Sequence, residues 1–270
     1  MGPSIFDISG KVVAITGAAG GIGLAVCKQL GTSGATIVMS DINEKALSEG
    51  KTELEKLGVK VSSMVCDTRD EKSVIAYFDF IAKNYGQADI LVNNAATGIH
   101  TPPQDTTLEE WNRVLSLSLT GYFLCAREFA KLLLKAKKPG ALINISSIAG
   151  SSAIGRGNFA YSTAKGGVNQ FTRELAIEWA KSNIRVNAIQ PCSVNTPGWR
   201  HWVETEGDKA KPLMDLLLRG IPLGRVAEPE DIAAAVHFLA SDAAAMVTGS
   251  ILPVDGGNLV YNAGGTLGSY

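Results

Sequence analysis

The sequence predicts an α/β fold: a doubly wound parallel sheet of about seven strands with helices on both faces, in one domain spanning 1–270. Short, nearly continuous apolar runs alternate with helical segments from end to end, which is typical of strands buried on both faces. The chain has 270 residues, of which 46% are hydrophobic, enough for one large core. No linker or low-complexity stretch divides it.

The predicted strands are short apolar runs that end at polar or glycine-rich turns. They cover 11–16, 35–41, 59–65, 89–93, 141–146, 184–189 and 250–254. The predicted helices cover 22–31, 45–57, 71–85, 108–137, a segment from Tyr161 to about 181, and 229–239. Gly58 is expected to end the second helix as a C-cap. The segment 197–224 lacks such regularity, and since long excursions from a compact fold are usually functional, we predict a mobile substrate lid.

Composition excludes several classes of function. The net charge of −1 and pI of about 6.3 argue against a nucleic-acid partner. No apolar run approaches the roughly 20 residues of a membrane span, and the first residues do not resemble a secretory signal, so we expect a cytoplasmic protein. The four cysteines and three histidines are scattered, so we expect neither a metal site nor a Cys/His nucleophile.

A glycine cluster after the first strand indicates a nucleotide site. Gly17, Gly21 and Gly23 allow a tight turn, and the helix that opens at Ile22 then faces a pyrophosphate with its N-terminus. The spacing differs from G-x-G-x-x-G, so a ligand-free glycine turn remains an alternative. Asp41 ends the second strand roughly 20 residues later, where an acid accepts hydrogen bonds from the adenosine ribose. The alternative for Asp41 is to cap the next helix.

Tyr161 and Lys165 provide a candidate acid/base pair. Residues four apart lie on one face of a helix, and an ammonium there would lower the tyrosine pKa from its usual value of about 10. Such a tyrosine can exchange a proton with a carbinol oxygen near neutral pH. A hydroxyl of the upstream pair Ser146 and Ser147 could hold the same oxygen.

Five motifs in this order resemble the short-chain dehydrogenase/reductase family, in its single-domain Rossmann-like form of about 250 residues. They are Gly17-x-x-x-Gly21-x-Gly23, Asn93-Asn94-Ala95-Ala96, Ser147, Tyr161-x-x-x-Lys165 and the run 191–196. The resemblance extends from about 11 to 257.

The resemblance implies a role for each matching residue of the catalytic end. Tyr161 would be the general acid/base, Lys165 would lower its pKa and bind the nicotinamide ribose, and Ser147 would orient the substrate. Ser146 is the fallback, because the separation to Tyr161 is one residue longer than in many members. Ser118 stands where many members have an asparagine that supports a proton relay, so either a Ser-Tyr-Lys triad or a triad with Ser118 as a relay residue is expected.

The resemblance also implies the cofactor contacts. Asn94 and Ala95 would line the adenosine side, and Asp67 would meet the adenine amino group. Val194 and Thr196 would bind the carboxamide of the nicotinamide.

NAD is favoured over NADP on physical grounds. A 2′-phosphate beside Asp41 would bring two anions within a few Å, and NADP-selective sites supply an arginine nearby. Ala18, Ala19 and Ile42 occupy the places where that arginine is expected.

The predicted function is an NAD-dependent oxidoreductase that transfers a hydride between the cofactor and a small secondary alcohol or ketone. Phe159, Cys192, Trp199 and Trp202 suggest a cyclic or hydrophobic substrate. The alternatives are that Cys192 fills the core and that the tryptophans pack the lid.

Two other functions remain open at this stage. Arg200 and His201 would suit a sugar or sugar acid. A non-redox member, such as an epimerase or dehydratase, is the other alternative. The resemblance further implies a homotetramer.

Overall fold

The computed structural model describes residues 4–262 and contains one parallel sheet. The seven strands lie in the order β3-β2-β1-β4-β5-β6-β7, which confirms the predicted doubly wound sheet. They are β1 Val12–Thr16, β2 Thr36–Asp41, β3 Val61–Val65, β4 Ile90–Asn93, β5 Gly140–Ile145, β6 Ile184–Pro191 and β7 Ile251–Val254.

Nine α-helices flank the sheet within the described residues. They are α1 Gly21–Thr32, α2 Glu44–Lys56, α3 Glu71–Tyr85, α4 Leu108–Leu115, α5 Gly121–Ala136, α6 Phe159–Trp179, α7 Pro197–Glu206, α8 Lys211–Arg219 and α9 Pro229–Ala240. Between positions 4 and 262, none is long and apolar enough to cross a membrane.

Strand alternation divides the core into two layers. Val13 and Ile15 point to the layer covered by α1, α2 and α9, whereas Ala14 points to the layer covered by α3, α5 and α6. Successive side chains of a strand face opposite sides of a sheet, so a strand buried on both faces must be apolar throughout. This explains the continuous apolar runs in the sequence.

Most predicted boundaries agree with the structure to within two residues, but the helix predicted over 108–137 is interrupted. Ser116–Thr120 forms a π-helical turn between α4 and α5. The widened turn carries Ser118, whose hydroxyl accepts a hydrogen bond from the Thr97 backbone N–H and donates one to the Thr97 carbonyl, both at 3.0 Å. A π-turn of this kind is often found at a functional site.

The segment predicted to be an irregular lid is helical. It contains α7, a 3₁₀ turn over Gly207–Ala210, and α8. Thr196 caps α7 by accepting a hydrogen bond from the Trp199 N–H at 3.2 Å, and Pro197 occupies the first helical position. Neither helix contains a buried residue.

The carboxyl ends of the strands carry the predicted functional residues. In a doubly wound sheet the crevice lies where the strand order reverses, here between β1 and β4. The glycine turn follows β1, and Asn94 follows β4. Ser147 follows β5 along the same edge, so the fold gathers these residues along one line.

Candidate active site

A cavity of about 500 Å³ opens beside the glycine turn. Its wall includes Gly17, Gly20, Asp41, Asp67 and Ala95. The cavity therefore lies where the adenosine half of a dinucleotide was predicted to bind. Its wall contains residues at or just after the carboxyl ends of β1, β2, β3 and β4, which are neighbours in the sheet.

The turn formed by residues 17–23 exposes its backbone to this cavity because its glycines have no side chains. Gly17 has a φ of +61°, and a Cβ there would lie 2.9 Å from the Ala95 Cα atom. A Cβ at Gly23 would lie 2.1 Å from the Gly17 carbonyl oxygen. Gly20 has open space where a Cβ would be, and no side chain caps α1. The first N–H groups of α1 are thus available to an anion, and this cradle fits a pyrophosphate.

Asp41 is held at the edge of the cavity by backbone donors. Its carboxylate accepts hydrogen bonds from the N–H groups of Ala19 at 3.1 Å and Asn43 at 3.0 Å. The N-cap of α2 is Asn43, which accepts from the Ala46 N–H at 3.0 Å, so the alternative of Asp41 as the cap residue is wrong. Asp41 faces the cavity in the position predicted for binding a ribose.

Sequence reasoning missed Arg69, which lines the same cavity. Its guanidinium donates to both carboxylate oxygens of Asp67 over 2.7–3.1 Å. The hydrogen bonds from Arg69 lower the pKa of Asp67. If Asp67 contacts the adenine as predicted, its carboxylate does so while it is paired with the Arg69 guanidinium.

Asn94 ties the glycine turn to the end of β4. Its side-chain amide donates to the carbonyls of Thr16 at 3.1 Å and Gly17 at 2.9 Å. Asn94 and Ala95 line the cavity as predicted, but the Asn94 side chain also fixes the shape of the turn.

Val194 and Thr196 lie at the other end of the crevice. Val194 pairs with Ala227 in a short parallel bridge. The Thr196 methyl group is 3.2 Å from the position of a Cβ on Gly21, so it packs against the glycine turn. Both residues line a second cavity. Their contact with the carboxamide of the nicotinamide stays a prediction.

The structure brings Ser147, Tyr161 and Lys165 together. Tyr161 and Lys165 lie on α6, and Ser147 lies at the start of a 3₁₀ turn after β5. The Ser147 side chain is close enough to Tyr161 to lower the pKa of the phenol, and the Lys165 Nζ atom lies 5.6 Å from the centre of the Tyr161 ring. Ser146 is buried and donates to Asn169 Oδ1 at 2.7 Å, so the fallback assignment to Ser146 is not supported.

Burial decides the pKa values of this group. Desolvation lowers the pKa of Lys165 from 10.5 to about 7. Desolvation raises the pKa of Tyr161, and the nearby Ser147 side chain opposes that rise. The pKa of Tyr161 therefore lies above its usual value in this structure, contrary to the expected fall, because desolvation has the largest effect on it.

Lys165 binds a residue that the sequence analysis missed. Its Nζ atom donates to the Ile145 carbonyl at 2.7 Å and to the Tyr122 hydroxyl at 3.1 Å. The hydroxyl of Ser118, the predicted relay residue, is instead engaged by the backbone of Thr97.

The second cavity, which we call the substrate cavity, has a volume of about 510 Å³. Trp199 and Trp202 line it, as predicted, with ring centres 5.4 Å apart. His100 and Arg156 also line it, and sequence reasoning missed both. Arg200 is not part of its wall.

Two predicted substrate residues lie elsewhere. Phe159 stacks on Trp111 with ring centres 5.6 Å apart. Cys192 lines a different cavity, beside Pro222 and Ala227. The alternative of Cys192 as a small filler agrees with its packing against the core.

Comparisons with known proteins agree with this geometry. A family model described as enoyl-(acyl carrier protein) reductase matches residues 17–258. A D-threitol dehydrogenase from Mycolicibacterium smegmatis is 38% identical over 253 residues, which cover 93% of this chain and 94% of that relative. A cyclopentanol dehydrogenase from Comamonas testosteroni is 37% identical over 251 residues, which cover 93% and 97%.

The chain belongs to the short-chain dehydrogenase/reductase family. A solved structure from Agrobacterium tumefaciens with bound NADP has a TM-score of 0.86 and 33% identity, covering 96% of this chain and 100% of that one. This short-chain dehydrogenase/reductase is therefore an oxidoreductase of the alcohol and ketone class with a nicotinamide cofactor.

Proposed function

We propose that this enzyme is an NAD-dependent dehydrogenase or reductase of cyclic or hydrophobic secondary alcohols and ketones. The observation that carries the proposal is the proximity of Ser147, Tyr161 and Lys165 to one another. The aromatic wall that Trp199 and Trp202 form in the substrate cavity supports it. The cyclopentanol dehydrogenase relative supports a cyclic substrate.

Each candidate catalytic side chain has a separate role at the reacting carbon. A nicotinamide cofactor held by the glycine turn and Asp41 would provide the hydride chemistry. Tyr161 takes the proton from the carbinol oxygen during oxidation and returns it during reduction. Ser147 holds that oxygen by a hydrogen bond, and the charged form of Lys165 stabilises the phenolate that Tyr161 becomes. The tryptophans exclude water from the hydride path.

Asp41 supports the choice of NAD over NADP. A phosphate on the 2′-oxygen would lie beside the Asp41 carboxylate, and repulsion between the two anions would weaken binding. Among the described residues of the cavity wall, Arg69 is the one cation that could offset this repulsion. Its guanidinium is already paired with both oxygens of Asp67.

A polyol or sugar acid is the second candidate substrate. The D-threitol dehydrogenase relative favours it, as do the polar side chains of His100 and Arg156 in the wall of the substrate cavity. Cyclic and open-chain alcohols therefore belong in one substrate panel.

The test is NADH formation or consumption with cyclopentanol, larger cyclic alcohols, D-threitol, gluconate and their ketones. We expect turnover with a cyclic alcohol and a fall of about 10²–10⁴-fold in kcat for Tyr161→Phe, because no proton donor or acceptor remains at the carbinol oxygen. Affinity for NAD should stay within a few fold. The absence of hydride transfer to or from any alcohol or ketone would support the non-redox alternative.

Cofactor choice has its own test. Asp41→Ala should lower the preference for NAD, measured as the ratio of kcat/KM with NAD to that with NADP, by about tenfold or more. Asn43→Ala is the matched control, because it removes the cap of α2 and leaves the Asp41 carboxylate in place. A wild-type enzyme that prefers NADP would contradict the proposal.

A further inference from the structure

The loop before α6 holds an arginine in an unusual backbone conformation. Gly155, Arg156 and Gly157 have φ values of +65°, +59° and +69°, so three consecutive residues are left-handed. A Cβ at Gly157 would lie 2.6 Å from the carbonyl carbon of His100, so this position requires glycine. Arginine disfavours the left-handed region, and strained residues of this kind cluster at binding sites.

Arg156 is a cation without a protein anion. It is exposed, lines the substrate cavity, and forms no ion pair with any residue between 4 and 262. Arg69, Arg127 and Arg225 each bind a carboxylate. Arg200 resembles Arg156 in having no ion pair among the described residues, but it does not line the cavity. Among its described lining residues, the substrate cavity has no acidic side chain either.

His100 supports the same loop from the other side. Its Nδ1 atom lies 3.3 Å from the Arg156 carbonyl oxygen and 3.3 Å from the Asn158 side-chain nitrogen. The Arg156 backbone is thus anchored to the wall, while the guanidinium has no hydrogen bond to a protein acceptor in the described chain. Because the backbone of Arg156 is already anchored, a ligand that orders the side chain causes a smaller loss of conformational entropy.

The loop that precedes His100 lies near the candidate proton donor. A Cβ at Gly98 would lie 3.8 Å from the Tyr161 ring, and His100 follows two residues later beside the arginine loop. The remaining wall is largely apolar, with Trp199, Trp202 and Leu213. A ligand in this cavity therefore meets a guanidinium on an otherwise largely apolar wall, and residues 98–100 connect that wall to the surroundings of Tyr161.

We infer that the substrate is a cyclic secondary alcohol or ketone with a carboxylate remote from the reacting carbon, and that Arg156 binds this carboxylate. The inference rests on the proposed function. A guanidinium presents donors in a planar fork that matches a carboxylate, which explains why an uncompensated arginine is useful in an otherwise apolar cavity.

Equilibrium binding tests the inference without turnover. Cyclohexanecarboxylate and its methyl ester are titrated by calorimetry into NAD-saturated wild type and the variants Arg156→Gln, Arg156→Lys and Arg200→Gln. Arg200→Gln is the matched control, because this neighbouring exposed arginine donates to the Asn195 carbonyl at 2.8 Å and does not line the cavity.

We expect the acid to bind the wild type about tenfold more tightly than the ester, since a charge-assisted hydrogen bond is lost in the ester. Arg156→Gln should remove this difference, Arg156→Lys should keep part of it, and Arg200→Gln should leave it intact. Equal binding of acid and ester, no binding of the acid, or equal losses in Arg156→Gln and Arg200→Gln would overturn the inference.

Turnover separates this inference from the proposed function. 4-Hydroxycyclohexanecarboxylate and its methyl ester are offered with NAD under the same conditions. Two results together support both the proposed function and the carboxylate site. The wild type should have a higher KM for the ester than for the acid, and Arg156→Gln should have a higher KM for the acid than the wild type. If the acid binds through Arg156 but no alcohol or ketone is turned over, the proposed function fails and the carboxylate site stands. If only neutral alcohols are oxidised, the carboxylate site fails and the proposed function stands.

Discussion

The Nζ atom of Lys165 donates a hydrogen bond to the hydroxyl of Tyr122 at 3.1 Å, and both side chains are at most 1% exposed. The Tyr122 hydroxyl in turn donates to the Ile145 carbonyl at 2.9 Å, which also accepts from Lys165. Asn93 holds the Tyr122 backbone carbonyl at 3.2 Å. A buried set of acceptors from α5 and β5 thus fixes the ammonium beside Tyr161, and Tyr122 is a positioning residue.

Removal of the Tyr122 hydroxyl should affect catalysis through Lys165. In Tyr122→Phe the buried ammonium loses one acceptor, so the pKa of Lys165 should fall further. Less positive charge beside Tyr161 makes its phenolate less stable, and the rise of alcohol oxidation with pH should move to higher pH. We expect kcat to fall about tenfold, the effect of one hydrogen bond to a charged group. The measurement is kcat for alcohol oxidation across a pH series.

Tyr77→Phe is the matched control for this prediction. Tyr77 is also fully buried, and its hydroxyl donates to the Val38 carbonyl at 2.6 Å rather than to a partner of Lys165. Each variant should lose about 1 kcal/mol of stability. Equal effects of the two variants on kcat and on the pH profile would show that Tyr122 acts only in packing.

Lys165→Met should stabilise the protein at low pH. The folded-state pKa of Lys165 is about 7, below the ordinary value of 10.5, so the unfolded state binds more protons between these values. The stability of the wild type should therefore rise with pH across this window. Below pH 7 both states are charged, and the wild type bears the full cost of a buried ammonium, which is on the order of a few kcal/mol.

Methionine removes that charge, and the Ile145 carbonyl keeps its hydrogen bond from Tyr122. The thermal midpoint of Lys165→Met should exceed that of the wild type most at pH 6, and the difference should shrink towards pH 10. Melting curves of the two proteins across this range provide the measurement. A difference that does not change with pH would mean that Lys165 is not desolvated as the structure shows.

The helices α7 and α8 should open and close over the substrate cavity. Neither contains a buried residue, and helices with few buried contacts are prone to local unfolding. Without NAD, limited proteolysis should cut mainly between Arg200 and Lys211. NAD with a carboxylic acid ligand should suppress this cleavage, because Trp199 and Trp202 then pack on the ligand. Equal protection in both states would identify a fixed wall.

Self-association should occur through an apolar face of α5 and α6. Phe123 and Leu134 of α5 are exposed and line a groove with Phe171 and Leu175 of α6. Phe129 and Leu133 belong to the core. By resemblance to the family we expect a homotetramer, since an apolar patch of this kind usually marks an interface.

Phe123→Asp should weaken this assembly, because a charge would be buried in the interface. Leu216→Asp on α8 is the control, as it changes an exposed leucine away from this face. Light scattering gives the mass of each protein. A wild type that remains a 28.4 kDa monomer at micromolar concentration would contradict the expectation.

Local patterns in the sequence determined the sheet, most helices and part of the site. Apolar runs are sufficient to predict strands buried on both faces, and glycines after the first strand predict a cradle that only glycine can form. Tyr161 and Lys165 were recognisable as a pair because four residues separate them on one helix. Each of these patterns involves residues that are close in the sequence, so it can be recognised without knowing how the chain packs.

The tertiary structure alone decided the environment of those residues. Tyr122 and Lys165 are 43 residues apart in the chain, and only the packing of α5 against α6 and β5 joins them. The pKa of Tyr161 is raised by desolvation, and the degree of burial follows from how the chain packs. Arg156 became a candidate ligand because the fold places it in a cavity without an acid, and charge compensation is a property of neighbours in space.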